Sequence, residues 1–208
     1  MLRLFALLLF LLPCATQADL TIVTPSGYTM PSGFDGQLFR TVNHSPESVA
    51  LLDAGTNNIQ LETAYLSRPG VNRLALSLQA LVLPETFVTP ALSFGVKDIA
   101  NSAGTFAGDG FYGRAYYFAA TKDFDNGVSQ PKLRGLTITA GLGAGSYHGV
   151  FGGVGVDLPL RLLGTAEYDG RSMNYRVAFP IAPIARISYA RISNSNYVAL
   201  DIHSPLSL

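Results

Sequence analysis

Three histidines are the first residues to test for chemistry, because imidazole binds metal ions and transfers protons near neutral pH. They are His44, His148 and His203, each in a predicted loop or strand end. A metal site needs several ligands at converging spacing, and the sequence shows none around these histidines. We therefore predict no metal ion. Ser204 follows His203, which leaves one catalytic hypothesis open: a base beside a nucleophile that acts on lipid or glycan.

Charged residues within predicted strands form a second candidate site. They are Glu62, Glu167, Arg176, Arg186 and Asp201. Inside a narrow interior such residues pair and neutralise one another, whereas acid–base catalysis needs two carboxylates at a defined separation. The sequence favours the salt bridges. We predict no catalytic and no cofactor-binding residue, and no enzyme activity.

The glycine-rich stretch at residues 141–145 superficially resembles a loop that cradles phosphate. It lacks the Lys-Ser/Thr step and the helix that follow such a loop. Glycine inside a strand allows a bend or a close approach of another element. We therefore interpret this stretch as part of a strand.

Residues 136–179 contain the clearest strand signal. Apolar residues alternate there with small or polar ones, as in Leu136, Ile138, Ala140 and Leu142, and again in Met173, Tyr175, Val177 and Phe179. Successive side chains of a strand face opposite sides, so the pattern predicts strands with one apolar face. Between the two runs, Asp169-Gly170 predicts the tight turn of a hairpin.

Residues 1–18 have the pattern of a secretory signal. Arg3 precedes an apolar stretch at 4–12 that is too short to span a bilayer, and small residues offer a cleavage site before Asp19. The alternatives are an N-terminal membrane anchor or lipidation of Cys14, the only cysteine. The Leu-Leu-Pro before Cys14 is a poor lipoprotein-processing site, because small residues are expected just before the cysteine. We predict export, and a mature chain without disulfides.

Composition points to an all-β chain in an unusual environment. Only 13% of the residues are charged, against about 25% in an average soluble domain. The formal net charge is zero, which argues against a nucleic-acid partner. Twenty-one glycines and no tryptophan accompany ten tyrosines and twelve phenylalanines, as expected of many strands and turns. The length suits one domain.

The polar faces of the predicted strands distinguish a membrane barrel from a soluble one. A soluble sheet exposes Lys, Glu and Arg on that face, whereas here it carries mainly Gly, Ala, Ser and Thr with isolated charges such as Lys97. Such a face suits the packed lumen of a small barrel, and the apolar face suits lipid. We predict a single closed antiparallel up-and-down transmembrane β-barrel of about ten strands, within a range of eight to twelve. A soluble secreted ligand-binding barrel is the alternative.

The predicted organisation has three parts. Residues 1–18 form the signal peptide, residues 19–56 form a lead-in segment containing a strand or plug element at 37–41, and residues 57–208 form the barrel. Residues 43–58 have the composition of a loop, with one helical turn at 48–52. The two longest predicted loops, at 100–110 and 122–134, are successive and should therefore lie at opposite ends of the barrel.

From residue 90 onward the sequence resembles the YjbH-like family of bacterial outer-membrane proteins. The similarity follows, in order, LSFGVKDI at 92–99, YYFAATKDF at 116–124, LTITAGLG at 136–143, FGGV at 151–154 and AEYDG at 166–170. The pair at 24–25 and the residues MPSG at 30–33 resemble the start of that family less specifically.

The resemblance implies an outer-membrane β-barrel, which in some members is associated with exopolysaccharide production or export, and it brings no catalytic motif. This chain is shorter than many members and would represent one barrel module. We therefore expect a non-enzymatic outer-membrane barrel with a structural or accessory role in the envelope. Its expected partners are outer-membrane lipid and, beyond lipid, polysaccharide or envelope proteins. A barrel enzyme acting on lipid or glycan is the alternative.

Overall fold

The computed structural model describes residues 22, 24–29, 33–42, 47–56, 58–103, 113–124 and 134–205. In this part of the chain, twelve antiparallel strands follow one another around a closed barrel, and the first strand pairs with the last. Their bounds are β1 Gly33–Thr41, β2 Ser48–Gly55, β3 Ile59–Arg68, β4 Val71–Leu83, β5 Ala91–Lys97, β6 Ala115–Asp123, β7 Arg134–Gly145, β8 Gly149–Asp157, β9 Leu163–Tyr168, β10 Met173–Ala182, β11 Ala185–Ile192 and β12 Ser195–Pro205. A short 3-10 turn, Pro159–Arg161, lies between β8 and β9.

The closed antiparallel barrel predicted from the sequence is confirmed, with twelve strands rather than about ten. The predicted start of the barrel at residue 57 is wrong, because β1 and β2 are two of its strands. The expected loop and helical turn around residues 48–52 are instead part of β2, which pairs with both β1 and β3. Without these two strands β12 and β3 would each lack a partner, and the barrel would not close.

The apolar faces of the strands point outward. In β10, Met173, Tyr175, Val177 and Phe179 are each nearly half exposed, whereas Asn174, Arg176 and Ala178 are buried. The same alternation occurs in β7, where Ile138 and Leu142 are exposed and Thr139 is buried. The lumen therefore holds the polar and small side chains, as predicted, together with buried apolar side chains that include Phe39, Leu66 and Ile192.

The predicted hairpin at Asp169-Gly170 joins β9 to β10. Gly170 alone of the two has a positive φ, of 91°, which glycine adopts at low cost. The Asp169 carboxylate has a different task, since its Oδ1 accepts hydrogen bonds from the main-chain N–H groups of Arg171 and Ser172, both at 2.8 Å. The aspartate thus closes the turn by accepting hydrogen bonds.

The barrel has two ends. We call the end at which β1 begins and β12 ends the terminal end, and the end at which β1 is followed by β2 the distal end. The longest connections join β5 to β6 and β6 to β7; the strand ends that flank the first lie at the distal end, and those that flank the second lie at the terminal end. Their placement at opposite ends agrees with the prediction.

Among the described residues, no helix has the length and apolar character needed to cross a membrane. The predicted signal peptide and Cys14 lie outside the described residues.

Candidate functional site: the barrel lumen

The lumen contains a stretch of the chain that precedes β1. Residues 22 and 24–29 lie among inward-facing side chains of four strands, β4, β5, β6 and β9. Ile22, Thr24 and Ser26 are at most 6% exposed. None of these residues is part of a strand. We call residues 22 and 24–29 the lumenal segment; it lies within the predicted lead-in segment but upstream of the run that the sequence marked as strand or plug.

Glu167 of β9 holds the distal end of the lumenal segment. Its carboxylate is buried and accepts hydrogen bonds from the main-chain N–H groups of Ile22 and Thr24, at 3.0 and 3.3 Å, and from the Thr24 hydroxyl at 2.8 Å. The Asn174 amide donates to the same carboxylate at 3.4 Å. Hydrogen bonds from residues two apart indicate an extended main chain, because N–H groups of an extended chain alternate in direction.

The middle of the lumenal segment is held by uncharged side chains. The Gln79 amide donates to the main-chain carbonyls of Ser26 and Tyr28 at 3.0 and 2.7 Å. The Ser93 hydroxyl donates to the Ser26 carbonyl at 2.8 Å. The Tyr117 hydroxyl in turn donates to Gln79 Oε1 at 2.9 Å and so fixes the orientation of that amide.

Gly27 passes very close to the wall. Its N–H donates to Thr121 Oγ1 at 2.6 Å. A Cβ at this position would lie 2.5 Å from the Ala91 carbonyl oxygen and from the Thr121 main-chain nitrogen. Both atoms belong to the main chain of strands, so the wall has little freedom to move away. Only glycine fits here.

Glu85 holds the terminal end of the lumenal segment. Its carboxylate accepts a hydrogen bond from the Tyr28 hydroxyl, pairs with Lys122 Nζ at 2.6 Å, and accepts from the Asp123 N–H at 3.1 Å. Burial acts to raise the pKa of Glu85, but these hydrogen bonds and the Lys122 charge outweigh burial and lower it. Burial and the hydrogen bond to Glu85 raise the pKa of the Tyr28 phenol. At neutral pH the acceptor is therefore ionised and the donor protonated.

The charged residues singled out from the sequence separate into different contacts. Arg176 and Asp201 form a buried salt bridge, and Arg176 Nε also donates to the Ser188 hydroxyl at 3.0 Å. Glu62 instead accepts a hydrogen bond from Ser77 at 3.0 Å, and Glu167 holds the lumenal segment. Arg186 faces the lumen in register with Asp201. The salt-bridge interpretation describes Arg176 and Asp201; it does not describe Glu167.

The histidines do not converge. His203 Nδ1 lies 3.1 Å from Asp35 Oδ2 at the terminal end, while His148 contacts Arg171 in a distal turn. His44 and the side chain of Ser204 lie outside the described part of the chain. Within that part, no three His, Cys, Asp or Glu side chains are arranged to hold a metal ion.

Aromatic rings fill the lumen beside the lumenal segment, a feature that the sequence analysis missed. Tyr147 packs between Tyr117 and Phe151, with ring centroids 5.9 and 5.2 Å apart. The rings rest on glycines of neighbouring strands: a Cβ on Gly95 would lie 2.2 Å from the Tyr117 ring, and one on Gly141 would lie 2.1 Å from the Phe151 ring. Gly141 and Gly143 of the glycine-rich stretch thus provide space for Phe151 and Tyr147. The signal available in the sequence was a glycine within one predicted strand and an aromatic residue within the next, which could have indicated a ring packed over the glycine.

The remaining space in the described lumen includes a cavity of about 70 Å³ beside Ile22, Thr24 and Pro25. It has room for a few water molecules. Its wall is polar, and Lys97 Nζ lies 3.3 Å from the Tyr147 hydroxyl there. The polar residues that line it are Thr24, Gln37, Asp53, Gln60, Glu62, Ser77, Gln79, Lys97, Tyr117 and Tyr147.

No protein-family model and no curated protein matches this sequence. Among solved structures, a KdgM porin is similar to it, with a TM-score of 0.52 over 81% of this chain and 97% of the porin chain. The two sequences are 8% identical, so the similarity concerns the fold alone. The chain thus has a porin-like closed β-barrel fold, and such a fold fits an outer-membrane location.

Proposed function

We propose that this chain is a non-enzymatic outer-membrane β-barrel protein with a structural or accessory role in the cell envelope. The observation that carries the proposal is the outer surface of the barrel. Every strand presents at least one large apolar side chain that is more than a third exposed, for example Leu38, Leu52, Leu61, Leu76, Phe94, Phe118, Ile138, Val154, Tyr168, Val177, Ile187 and Val198.

An apolar belt of this extent is unfavourable in water. The largest apolar patch on a soluble monomer is typically about 300–600 Å², whereas this belt surrounds all twelve strands. In a bilayer the belt contacts lipid, and the closed ladder satisfies the main-chain hydrogen-bonding groups without water. Lipid is therefore the partner that this surface fits, and the porin-like fold supports the same location.

The filled lumen supports an accessory role rather than free diffusion of solutes. The lumenal segment and the ring cluster of Tyr117, Tyr147 and Phe151 lie in the interior, and the cavity beside them has room for a few waters. The resemblance to the YjbH-like family supports, in addition, a role in exopolysaccharide production or export. We expect the purified protein to show no stable open-channel conductance in planar bilayers.

The catalytic alternative has one observation in its favour. Asp35 contacts His203 Nδ1 and would supply the orienting carboxylate that a base needs. We expect Ser204→Ala to leave any lipid-hydrolysing activity of the purified protein unchanged. If the purified protein hydrolysed lipid and Ser204→Ala abolished that activity, the protein would be an enzyme and our proposal would be wrong.

A matched pair of substitutions tests the membrane location. Val177 lies mid-strand on the belt and Val88 lies in the connection between β4 and β5; both are exposed. Lysine on the lipid face of a barrel costs about 2–4 kcal/mol at the bilayer midplane. In a soluble barrel, by contrast, an exposed lysine changes stability by about 0.5 kcal/mol or less. We expect Val177→Lys to reduce recovery of the heat-modifiable folded form from outer-membrane fractions, and Val88→Lys to leave it unchanged. Recovery of the wild-type chain in the soluble periplasm would contradict the proposal.

A further inference from the structure

We infer that the lumen is a binding site for an extended polypeptide, recognised mainly through its main chain, and that the lumenal segment is its ligand within the same chain. This goes beyond the proposed function, which requires only that the lumen be filled. It concerns the lumen wall and does not depend on where the barrel resides.

The wall offers side chains that complement a polypeptide backbone. Glu167 accepts from the N–H groups of residues 22 and 24, Thr121 accepts from the N–H of residue 27, and Gln79 donates to the carbonyls of residues 26 and 28. Glu167, Thr121 and Gln79 are buried, at 1%, 1% and 8% exposure. Buried polar groups need hydrogen-bond partners, and an extended main chain supplies both donors and acceptors at this spacing.

The lumenal segment is attached differently from the strands. Each strand is fixed by main-chain ladders to two neighbours, whereas the lumenal segment is held by side chains of the wall. Its departure would break those side-chain contacts and leave the ladder between β1 and β12 intact. The barrel and its ligand are therefore separable in principle, even though one chain contains both.

Gly27 and Tyr28 add selectivity to this main-chain recognition. A Cβ at position 27 meets strand main chain at 2.5 Å, so the ligand must have glycine there. The next residue reaches Glu85 with a phenol hydroxyl. Three positions before the glycine, the Thr24 hydroxyl donates to Glu167. The chemical class of ligand is thus an extended peptide with a hydroxyl residue, a glycine and a tyrosine at these positions.

Gly27→Val in the full-length chain tests whether the lumenal segment can leave. The valine side chain has no room against the wall, and the substitution lies outside every strand. Gly36→Ala in β1 is the matched control, because its Cβ would have no atom nearer than the Ile202 carbonyl oxygen at 4.0 Å. With Ser26→Cys as the reporter thiol and Cys14→Ser throughout, we expect Gly27→Val to raise the rate of maleimide labelling in detergent at least tenfold. Gly36→Ala should not change that rate.

A labelled synthetic peptide of residues 20–30 then tests the site itself. We expect it to bind the folded, heat-modifiable Gly27→Val protein at least tenfold more tightly than the wild-type protein, whose lumen is already occupied. The same peptide with Gly27→Val, or with an N-methyl group on Gly27, should not bind. Continued protection of the reporter thiol in Gly27→Val would overturn the inference, and so would release of the segment without peptide binding. Equal binding to both proteins would place the peptide elsewhere and overturn it too. These detergent measurements leave the outer-membrane proposal untouched.

Discussion

On one side of the lumen, β5 to β8 fit together through rings resting on glycines, whereas on the other side, formed by β10 to β12 and β1, a buried ion pair joins β10 to β12. Phe151 and Tyr147 lie over Gly141 and Gly143 on the first side. On the second, Arg176 pairs with Asp201, and His203 Nδ1 lies 3.1 Å from Asp35 Oδ2. We call these the glycine–aromatic side and the ion-pair side. The first depends on close packing, whereas the second combines the Arg176–Asp201 ion pair with buried apolar side chains such as Phe39 and Tyr197.

This difference predicts two kinds of sensitivity. Tight packing is sensitive to added volume, since a new methyl group has no free space to occupy. A buried ion pair is sensitive to the loss of one partner, since the other charge then stays buried without compensation. Among the described residues, the buried atoms Asp201 Oδ1 and Asp35 Oδ1 have no hydrogen-bond partner.

The largest expected effect belongs to Arg176→Ala. The substitution removes the ion-pair partner of the buried Asp201, and removing one partner of a buried pair typically costs about 3–5 kcal/mol. Urea unfolding in detergent, followed by the loss of the heat-modifiable band, measures the change. Arg191→Ala, on the exposed face of β11, is the control and should cost about 0.5 kcal/mol or less. Equal costs for the two variants would show that the salt bridge does not stabilise the ion-pair side.

A smaller effect is expected on the glycine–aromatic side. In Gly141→Ala the new Cβ would lie 2.1 Å from the Phe151 ring and 2.6 Å from the Phe118 carbonyl oxygen. The ring can rotate, but the carbonyl belongs to β6, so we expect a loss of about 1–3 kcal/mol in the same urea assay. Gly36→Ala again serves as the control. If the double variant Gly141→Ala/Phe151→Leu recovers part of the lost stability, that part is due to the clash with the Phe151 ring. An unchanged urea midpoint for Gly141→Ala would refute the close packing.

The sequence predicted the strands whose two faces differ in chemistry and missed the strand whose faces do not. In β10 every apolar residue of the alternation points outward, so the period of two is visible. In β2, Val49 and Leu51 point inward while Leu52 points outward, and apolar residues on both faces remove that period. The lumenal segment was invisible for another reason: its Thr, Pro, Ser and Gly residues have the composition of a loop, and only tertiary contacts place it inside.

The pairing of charges was predictable in kind but not in detail. Burial of isolated charges in a narrow lumen predicts salt bridges, and one of them joins Arg176 to Asp201. The partner choice depends on register across three strands, because Ser188 of β11 separates the two residues and is small enough to let them meet. Glu167 binds main-chain N–H groups of the lumenal segment instead. No alternation pattern encodes that choice.

The smallest expected effect concerns the charged contact at the rim of the glycine–aromatic side, between Glu85, Lys122 and Tyr28. The pKa of Glu85 is lowered in the folded protein from its ordinary 4.5. Its contribution to stability is therefore fully present above pH 4.5 and is lost as the pH falls through the lowered value. Tyr28→Phe removes one of the donors that lower this pKa, so the loss should begin at a higher pH than in the wild type.

Maleimide labelling of the Ser26→Cys reporter against pH, sampled by short incubation and assayed after return to neutral pH, measures this shift. We expect the acid midpoint of protection to be higher when Tyr28→Phe is added to the reporter protein, and the labelling rate at pH 7 to be nearly unchanged. Tyr175→Phe on the outward-facing surface of β10 is the control and should leave the midpoint where it is. Identical midpoints in all three proteins would mean that the rim contact does not hold the lumenal segment, and that the hydrogen bonds to Gln79, Ser93, Thr121 and Glu167 retain it without help from charge at the terminal end.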